Sequence, residues 1–180
     1  MKVNQHTAIR RDKPSRPLKF LRDKTLYLPE YARVLDWGCG KGDDVEWLLA
    51  NGYTALGWDP ATLDDNPPHQ REKFDVVMSI YVLCVIDKKS VRNDTIQAMW
   101  DRVASGGCMY IAVRSVPDID KAKKDKDWKP YKDGWLTGRN TFQKGYTEDE
   151  LLKQVLNLVH VAYAETGGAR EFVSVRVVKR

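Results

Sequence analysis

Apolar and polar residues along this chain follow two periodicities, which predict strands and helices in alternation. Short apolar runs rich in β-branched residues predict buried strands at residues 33–37, 53–58, 74–80 and 108–114. Apolar residues at helical spacing, closed by glycine, predict helices at residues 44–51 and 88–104. Strands and helices in this order are typical of an α/β protein with a mostly parallel sheet.

The C-terminal part of the chain predicts one more helix and an antiparallel hairpin. Thr147 and Glu150 have the spacing of a capping box, so we expect a helix to begin there. Residues 159–165 and 172–179 predict two strands, and the glycines within residues 166–169 predict the turn between them.

Three segments depart from this alternation. Residues 1–28 are basic and interrupted by prolines, which predicts an N-terminal arm with a short helix. Residues 60–73 are too few and too rich in proline for another helix and strand. Residues 115–145 lack apolar periodicity, and their length favours a substrate loop or lid over a simple connection. A chain of 180 residues predicts a single domain over residues 1–180.

Composition excludes several classes of protein. Hydrophobic residues make up 42% of the chain and charged residues 31%, as in a globular domain. The three cysteines are widely spaced and suggest neither a disulfide framework nor a metal site, which favours a reducing compartment. The longest apolar stretch, near residues 76–86, is too short to span a bilayer, and the N-terminus has no apolar signal core. We therefore expect a cytoplasmic protein with no membrane contact and no bound metal.

Positive charge is concentrated in two segments. Residues 1–33 hold nine Lys and Arg against three Asp and Glu, and residues 121–144 hold eight against three. Residues 121–144 also contain Trp128, Tyr131, Trp135 and Phe142, and cations mixed with aromatic rings are typical of sites for single-stranded or flipped bases. These two segments predict a nucleic-acid partner, although solvated charged faces or a lid over a small acceptor would have a similar composition.

The most specific motif is D-W-G-C-G-K-G at residues 36–42, directly after the first predicted strand. Its glycines allow a tight turn into a helix, which Asp43 and Asp44 are predicted to cap. The second predicted strand ends at Asp59, near the separation at which an acidic residue meets a ribose in nucleotide-binding βαβ units. A pyrophosphate fits poorly here because the two carboxylates after the glycines would repel it. A ligand with a ribose and no phosphate fits better.

These residues resemble motif I and motif II of the class I S-adenosylmethionine-dependent methyltransferases. The resemblance implies a Rossmann-like fold with S-adenosyl-L-methionine as cofactor, and a sheet that lacks the family's third strand. It implies that Asp59 binds the ribose hydroxyls and that residues 60–66 cover the adenine. It also implies that Asp36 holds the glycine loop or the methionine amino group. Further cofactor-binding residues implied by the resemblance are Gly38, Cys39, Gly40, Trp58, Pro60, Ser79, Ile80 and Tyr81.

A narrower resemblance is to the methyltransferase portion of proteins associated with DNA phosphorothioation. It is carried by T-A-I-R-R at residues 7–11, G-W-D-P at residues 57–60 and T-F-Q-K-x-Y-T at residues 141–147. The resemblance implies methyl transfer to a nucleic acid. A catalytically silent cofactor-binding module in a DNA-modification or defence complex, or a small-molecule methyltransferase, remain alternatives.

The sequence identifies no catalytic residue. The N-P-P-H segment at residues 66–69 resembles a motif of amino-methylating DNA enzymes, but it follows the second predicted strand instead of the fourth strand of the family. A sulfonium methyl group is already activated, so positioning of the acceptor can supply most of the acceleration.

Overall fold

The structure is a computed structural model, and it describes residues 10–23, 28–60, 71–124 and 126–180. The strands are β1 (Arg33–Trp37), β2 (Thr54–Trp58), β3 (Phe74–Ile80), β4 (Val103–Arg114), β5 (Lys129–Tyr131), β6 (Gly134–Leu136), β7 (Phe142–Gln143), β8 (Tyr163–Ala169) and β9 (Phe172–Val178). The helices are α1 (Arg16–Asp23), α2 (Asp43–Ala50), α3 (Lys89–Trp100), α4 (Val116–Lys123) and α5 (Glu148–Leu156), with a 3-10 turn at Leu83–Val85.

Within the described ranges, the central sheet has six strands in the order β2-β1-β3-β4-β9-β8. The first four are parallel, and β9 runs antiparallel between β4 and β8. This confirms the predicted Rossmann-like fold with a C-terminal antiparallel hairpin. The strand order also agrees with the one that the resemblance implies for a sheet without the third strand, 2-1-4-5-7-6 in the strand numbering of the family. Residues 61–70, where the missing third strand and most of the adenine-covering loop were predicted, lie outside the described residues.

The inner strands of the sheet are buried on both faces. Neighbouring residues of a strand point to opposite sides, so Val34 packs towards α1 and α2 while Leu35 packs towards α3 and α5. The same division separates Val76 from Val77 on β3. A sheet covered by helices on both faces needs near-continuous apolar strands, which is why these runs were readable in the sequence.

Glycine-rich segments were the main source of error in the predicted strand boundaries. The hairpin turn is formed by residues 170–171 and not by residues 166–169, because β8 extends to Ala169. A Cβ on Gly167 would lie 3.0 Å from the ring of Phe20, and one on Gly168 would lie 2.4 Å from the carbonyl oxygen of Phe172. These glycines therefore lie within β8, where they allow α1 and β9 to approach the strand closely, and they do not form the turn.

The segment 115–145, predicted to be an irregular loop, contains regular structure. Ser115 caps α4 by accepting a hydrogen bond from the Asp118 N–H at 3.1 Å. Strands β5, β6 and β7 form a small antiparallel sheet, which we call the lid sheet. The lid sheet is attached to the main body by the Lys144 N–H, which donates to the Cys84 carbonyl at 2.8 Å. Its strands are only two or three residues long, so no apolar periodicity could reveal them.

Candidate functional site

The carboxyl ends of the parallel strands open onto a cavity of about 1270 Å³. Ligands of open α/β sheets bind at this edge, near the switch in strand order. Gly38, Gly40 and Asp59 line one side of the cavity, and Leu136 and Phe142 of the lid sheet line another. The segment after β4 therefore contributes to the same cavity as the glycine motif.

The glycine loop after β1 needs glycine for its conformation. Gly38 has a φ of 83°, and a Cβ there would lie 2.3 Å from a methyl carbon of Val82. The Gly38 N–H donates to the Trp58 carbonyl at 2.7 Å, and the Gly40 N–H donates to Asp59 Oδ2 at 2.9 Å. These bonds tie the loop to the end of β2 and leave its backbone against the cavity.

The structure brings most of the predicted cofactor-binding residues to this cavity. Those that line it are Gly38, Cys39, Gly40, Trp58, Asp59, Pro60, Ile80 and Tyr81. Asp36 and Ser79 do not line it and are buried in the sheet beneath. Side chains alternate along a strand, so the cavity is lined by Trp37 and Ile80, the residues that follow these two.

The carboxyl group of Asp36 lies in an unfavourable place for a charge. Burial raises its pKa well above the usual value, and Asp44 and Asp59 raise it further, while Arg11 opposes them. The folded protein therefore favours the protonated form of Asp36.

We expect the Asp36→Asn variant to be more stable than the wild type near pH 7 in the absence of ligand. Folding raises the pKa of Asp36 above its value in the unfolded chain, near 3.8. Protonated Asp36 therefore stabilises the folded protein fully below pH 3.8, and this stabilisation is lost as the pH rises through the pKa of the folded state. An amide avoids this loss, and a gain of 1 kcal/mol corresponds to about 2–4 °C in melting temperature. Calorimetric melting at pH 7 and pH 3.5 checks this, since the difference should fade at the lower pH. A variant that melts lower than the wild type at pH 7 would contradict it.

The thiols near the cavity are poor nucleophiles. Burial, with Asp36 and Asp59 nearby, raises the pKa of Cys39 to about 12, and burial raises the pKa of Cys84 to about 11. Both remain protonated at neutral pH, and the thiolate is the reactive form. Cys39 instead fills the space beside Gly57, where a Cβ would lie 2.8 Å from its sulfur.

Asp43 and Asp44, which we call the acidic pair, were predicted to cap α2, and this prediction is wrong. The N-cap of α2 is Gly42, and no side-chain capping bond forms there. Asp43 Oδ2 accepts a hydrogen bond from the Arg11 N–H, and Asp44 Oδ1 accepts one from the Ser15 N–H, each at 2.7 Å. The acidic pair therefore binds the N-terminal arm.

Both arginines of the arm also form ion pairs with the acidic pair. Arg10 Nε lies 3.2 Å from Asp43 Oδ1, and an Arg11 terminal nitrogen lies 3.1 Å from Asp44 Oδ2. We refer to residues 10–15 as the strap. Sequence reasoning identified the arginine pair and the acidic pair separately, but nothing in the pattern linked segments some thirty residues apart.

A second cluster that the sequence analysis missed lies at the end of β4. Arg114 donates from Nε to Asp118 Oδ2 at 2.6 Å and from NH1 to Gln143 Oε1 at 2.8 Å. All three residues line the cavity, as does Tyr81, whose φ of 62° is rare outside glycine. This cluster gives the cavity hydrogen-bonding groups on the side formed by β4 and the lid sheet.

Some of the cations in residues 121–144 are neutralised within the protein. Lys144 is buried and lies 2.7 Å from Glu150, Lys132 pairs with Asp87, and Lys123 pairs with Asp120 at 2.7 Å. The remaining cations are exposed and form no ion pair with other residues in the described part of the chain; they are Lys121, Lys124, Lys126, Lys129 and Arg139.

The described residues were searched for membrane-spanning helices and for groups of metal-binding side chains. None of the helices there is long and apolar enough to cross a membrane. Within the same ranges, no group of three or more His, Cys, Asp or Glu is arranged to hold a metal ion.

Comparison with known proteins gave one family and many similar folds. A family model described as a methyltransferase domain matches residues 6–157. No curated protein matches the chain.

Three solved structures represent the similar folds. A 1,6-didemethyltoxoflavin-N1-methyltransferase from Burkholderia thailandensis, with bound S-adenosylhomocysteine, is 14% identical with a TM-score of 0.65, covering 91% of this chain and 76% of that one. An S-adenosylmethionine-dependent methyltransferase from Methanosarcina mazei is 17% identical with a TM-score of 0.64, covering 93% and 99%. A possible histamine N-methyltransferase from Thermotoga maritima is 15% identical with a TM-score of 0.58, covering 91% and 89%.

Proposed function

Because this chain belongs to the methyltransferase-domain family, we propose that it transfers the methyl group of S-adenosylmethionine to a nucleic acid. One observation carries the choice of acceptor. The segment that forms the lid sheet of the cavity also presents five exposed cations, without ion pairs among the described residues, beside partly exposed aromatic rings. Cations suit phosphates and aromatic faces suit bases, so this combination favours a single strand or a flipped base.

We place the cofactor at the β1–β2 side of the cavity. We propose that Asp59 accepts hydrogen bonds from the ribose hydroxyls and that the backbone of Gly38 and Gly40 lies against the cofactor. The support is geometric. Asp59 follows β2 and lines the cavity, and Gly38 and Gly40 both have a positive φ that side chains would strain. Asp36 would act from beneath, on the loop or on the ammonium group of the methionine tail.

When bound, S-adenosylmethionine supplies a methyl group on a sulfonium, which is already activated for transfer. Asp59 and the backbone of Gly38 and Gly40 would hold the cofactor, and an acceptor in the cavity would receive the methyl group and release its proton to water. The chain needs to orient the acceptor, and its protonated thiols are not required. The pKa of Tyr81 is raised to about 12, mainly by burial. Its hydroxyl therefore remains protonated and can donate a hydrogen bond at the cavity wall.

The structure changes the balance between the two basic segments that were predicted to meet nucleic acid, residues 1–33 and 121–144. Arg10 and Arg11 are bound to the acidic pair, which neutralises part of the arm. We therefore assign most of the nucleic-acid contact to residues 121–139. The strap and the lid sheet both reach the cavity, so the remaining charges of the arm can add to the positive electrostatic field of residues 121–139.

Transfer from radiolabelled S-adenosylmethionine tests the proposal directly. The purified protein is incubated with DNA, with RNA and with a protein-free small-molecule extract, and label is counted in each fraction. We expect label in a nucleic-acid fraction. Label in the small-molecule fraction alone would make this a small-molecule methyltransferase, and no label in any fraction would favour the catalytically silent binding module.

Replacing Lys124, Lys126 and Lys129 together with glutamine should weaken binding to single-stranded nucleic acid about tenfold or more at 0.1 M salt. Each lost phosphate contact also lowers the slope of log affinity against log salt by about 0.7, so the slope should fall by about two. Fluorescence anisotropy across a salt series measures both quantities.

The matched control replaces Lys73, Lys153 and Arg180 with glutamine. This variant loses the same charge before β3, on α5 and at the sheet edge opposite the cavity. It should retain most of the affinity. Equal losses of affinity in the two variants would mean that binding depends on the net charge of the protein and not on the cations of residues 121–139.

A further inference from the structure

The strap crosses the start of α2 beside the cavity. Its backbone is held at both ends by the acidic pair, through the N–H groups of Arg11 and Ser15. Ser15 Oγ in turn accepts from the Leu18 N–H at 3.2 Å at the start of α1. The strap is therefore a built part of the cavity wall, and α1 anchors it from the other side.

The two arginines of the strap have different surroundings. The Arg10 side chain is 58% exposed, contacts Glu46 at 3.3 Å as well as Asp43, and does not line the cavity. The Arg11 side chain is 36% exposed and lines the cavity. The pair with Asp44 at 3.1 Å holds the Arg11 guanidinium beside the cavity. A guanidinium in this position can donate hydrogen bonds to an anionic group of a ligand.

The position of Arg11 indicates the chemistry of that group. Arg11 and the glycine loop line the same cavity, and the Arg11 charge acts on Asp36 at the end of β1. If Asp59 binds the ribose, the methionine tail of the cofactor extends along this loop. That tail has an ammonium group, which suits Asp36, and a carboxylate, which suits a guanidinium.

We propose that Arg11 binds the α-carboxylate of the cofactor and that the strap closes this end of the cavity around it. The ion pair with Asp44 holds the guanidinium beside the glycine loop, where it can donate to the carboxylate. Cofactor binding and strap ordering are then coupled, because each stabilises the position of Arg11. This inference rests on the proposed placement of the cofactor and is independent of the nature of the acceptor.

Two ligands separate a carboxylate contact from a general effect on the cavity. S-adenosylhomocysteine has the amino-acid tail, whereas 5′-methylthioadenosine has the same adenosine and sulfur without it. Isothermal titration of both ligands into the Arg11→Ala variant should show S-adenosylhomocysteine binding weakened about 10- to 100-fold, as expected for a charge-assisted hydrogen bond. Binding of 5′-methylthioadenosine should stay within about twofold of the wild type.

Arg10→Ala is the matched control, since it removes a strap arginine with the same kind of ion pair and no cavity contact. Any loosening of the strap in this variant should affect both ligands alike, so the ratio of the two affinities should remain close to wild type. Arg11→Gln, which keeps a long polar side chain, serves as the second variant if Arg11→Ala does not fold. It should show the same loss of selectivity between the two ligands.

Three results would overturn the proposal. Unchanged S-adenosylhomocysteine binding in both Arg11 variants would remove the carboxylate contact. Equal weakening of both ligands would mean that Arg11 acts only through the fold of the strap. A wild-type protein that binds 5′-methylthioadenosine as tightly as S-adenosylhomocysteine would show that the tail is not recognised, and a wild type that binds neither would overturn the cofactor placement as well.

Discussion

The Asp59→Ala variant is expected to bind S-adenosylhomocysteine more weakly by about 1.5–3 kcal/mol, the range for hydrogen bonds to a charged group. The substitution removes two things together. It removes the proposed acceptor of the ribose hydroxyls, and it removes the Oδ2 atom that accepts from the Gly40 N–H at 2.9 Å. The second loss loosens the glycine loop against which the cofactor would lie. Isothermal titration measures the change.

The pattern across ligands should be opposite to that of the Arg11 variants. Both S-adenosylhomocysteine and 5′-methylthioadenosine contain the ribose, so Asp59→Ala should weaken both to a similar degree. Asp59→Asn keeps one oxygen for the Gly40 N–H and should lose less than alanine. An Asp59→Ala variant with undiminished affinity for S-adenosylhomocysteine would contradict the assignment of this site. So would a wild type that binds NAD tightly and does not bind S-adenosylhomocysteine.

The Arg92→Leu variant should lose about 1–3 kcal/mol of unfolding free energy, the range for removing the hydrogen-bonding partner of buried polar groups. The Arg92 side chain is only 1% exposed, and it joins α3 to the lid sheet. It donates to the Ile86 carbonyl at 2.7 Å and pairs with Asp133 at the turn between β5 and β6. Leucine fills part of the space but leaves both acceptors without this donor.

The loss should depend on pH in a defined direction. Burial acts to raise the pKa of Asp133, but Arg92 and Lys144 outweigh it and hold that pKa below the usual value. A depressed pKa contributes stability above the unfolded value near 3.8, and this contribution is lost as the pH falls through the folded value. The difference between wild type and Arg92→Leu should therefore be smaller at pH 3 than at pH 7.

Urea unfolding at the two pH values measures this, and Lys132→Gln is the matched control. Lys132 also joins the lid sheet to the start of α3, through Asp87, but the Lys132 side chain is 38% exposed, whereas that of Arg92 is buried. Replacement of Lys132 should therefore cost less than replacement of Arg92. Comparable losses in the two variants would mean that burial of the Arg92 side chain adds little.

The central strands were predictable because their sequence carries a strong local signal. β1 and β3 lie between two helical layers, so most of their residues are apolar, and both strands have the predicted bounds. The ends of parallel strands share one edge of the sheet, and this rule alone brought Asp59 and Tyr81 to the same cavity. Local pattern and topology together were sufficient there.

What the sequence did not show depends on contacts between distant segments. The acidic pair looks like a capping signal, and only the folded strap reveals that it binds Arg11 and Ser15 instead. The lid sheet has strands of two or three residues without alternation, so its pairing is set by the body it covers. The sequence placed Arg114 at the end of a strand. Its partners Asp118 and Gln143 lie within residues 115–145, where the sequence shows no regular pattern.

Trp37 and Trp58 end the adjacent strands β1 and β2, and both line the cavity. Their ring centroids are 4.5 Å apart and their planes are inclined by 56°. Two indoles this close and inclined couple their electronic transitions, and coupled chromophores in a fixed chiral arrangement produce a split circular-dichroism band. The pair is therefore a built-in optical reporter, whose ultraviolet signature depends on how the ends of two neighbouring strands are held and on what lies against them.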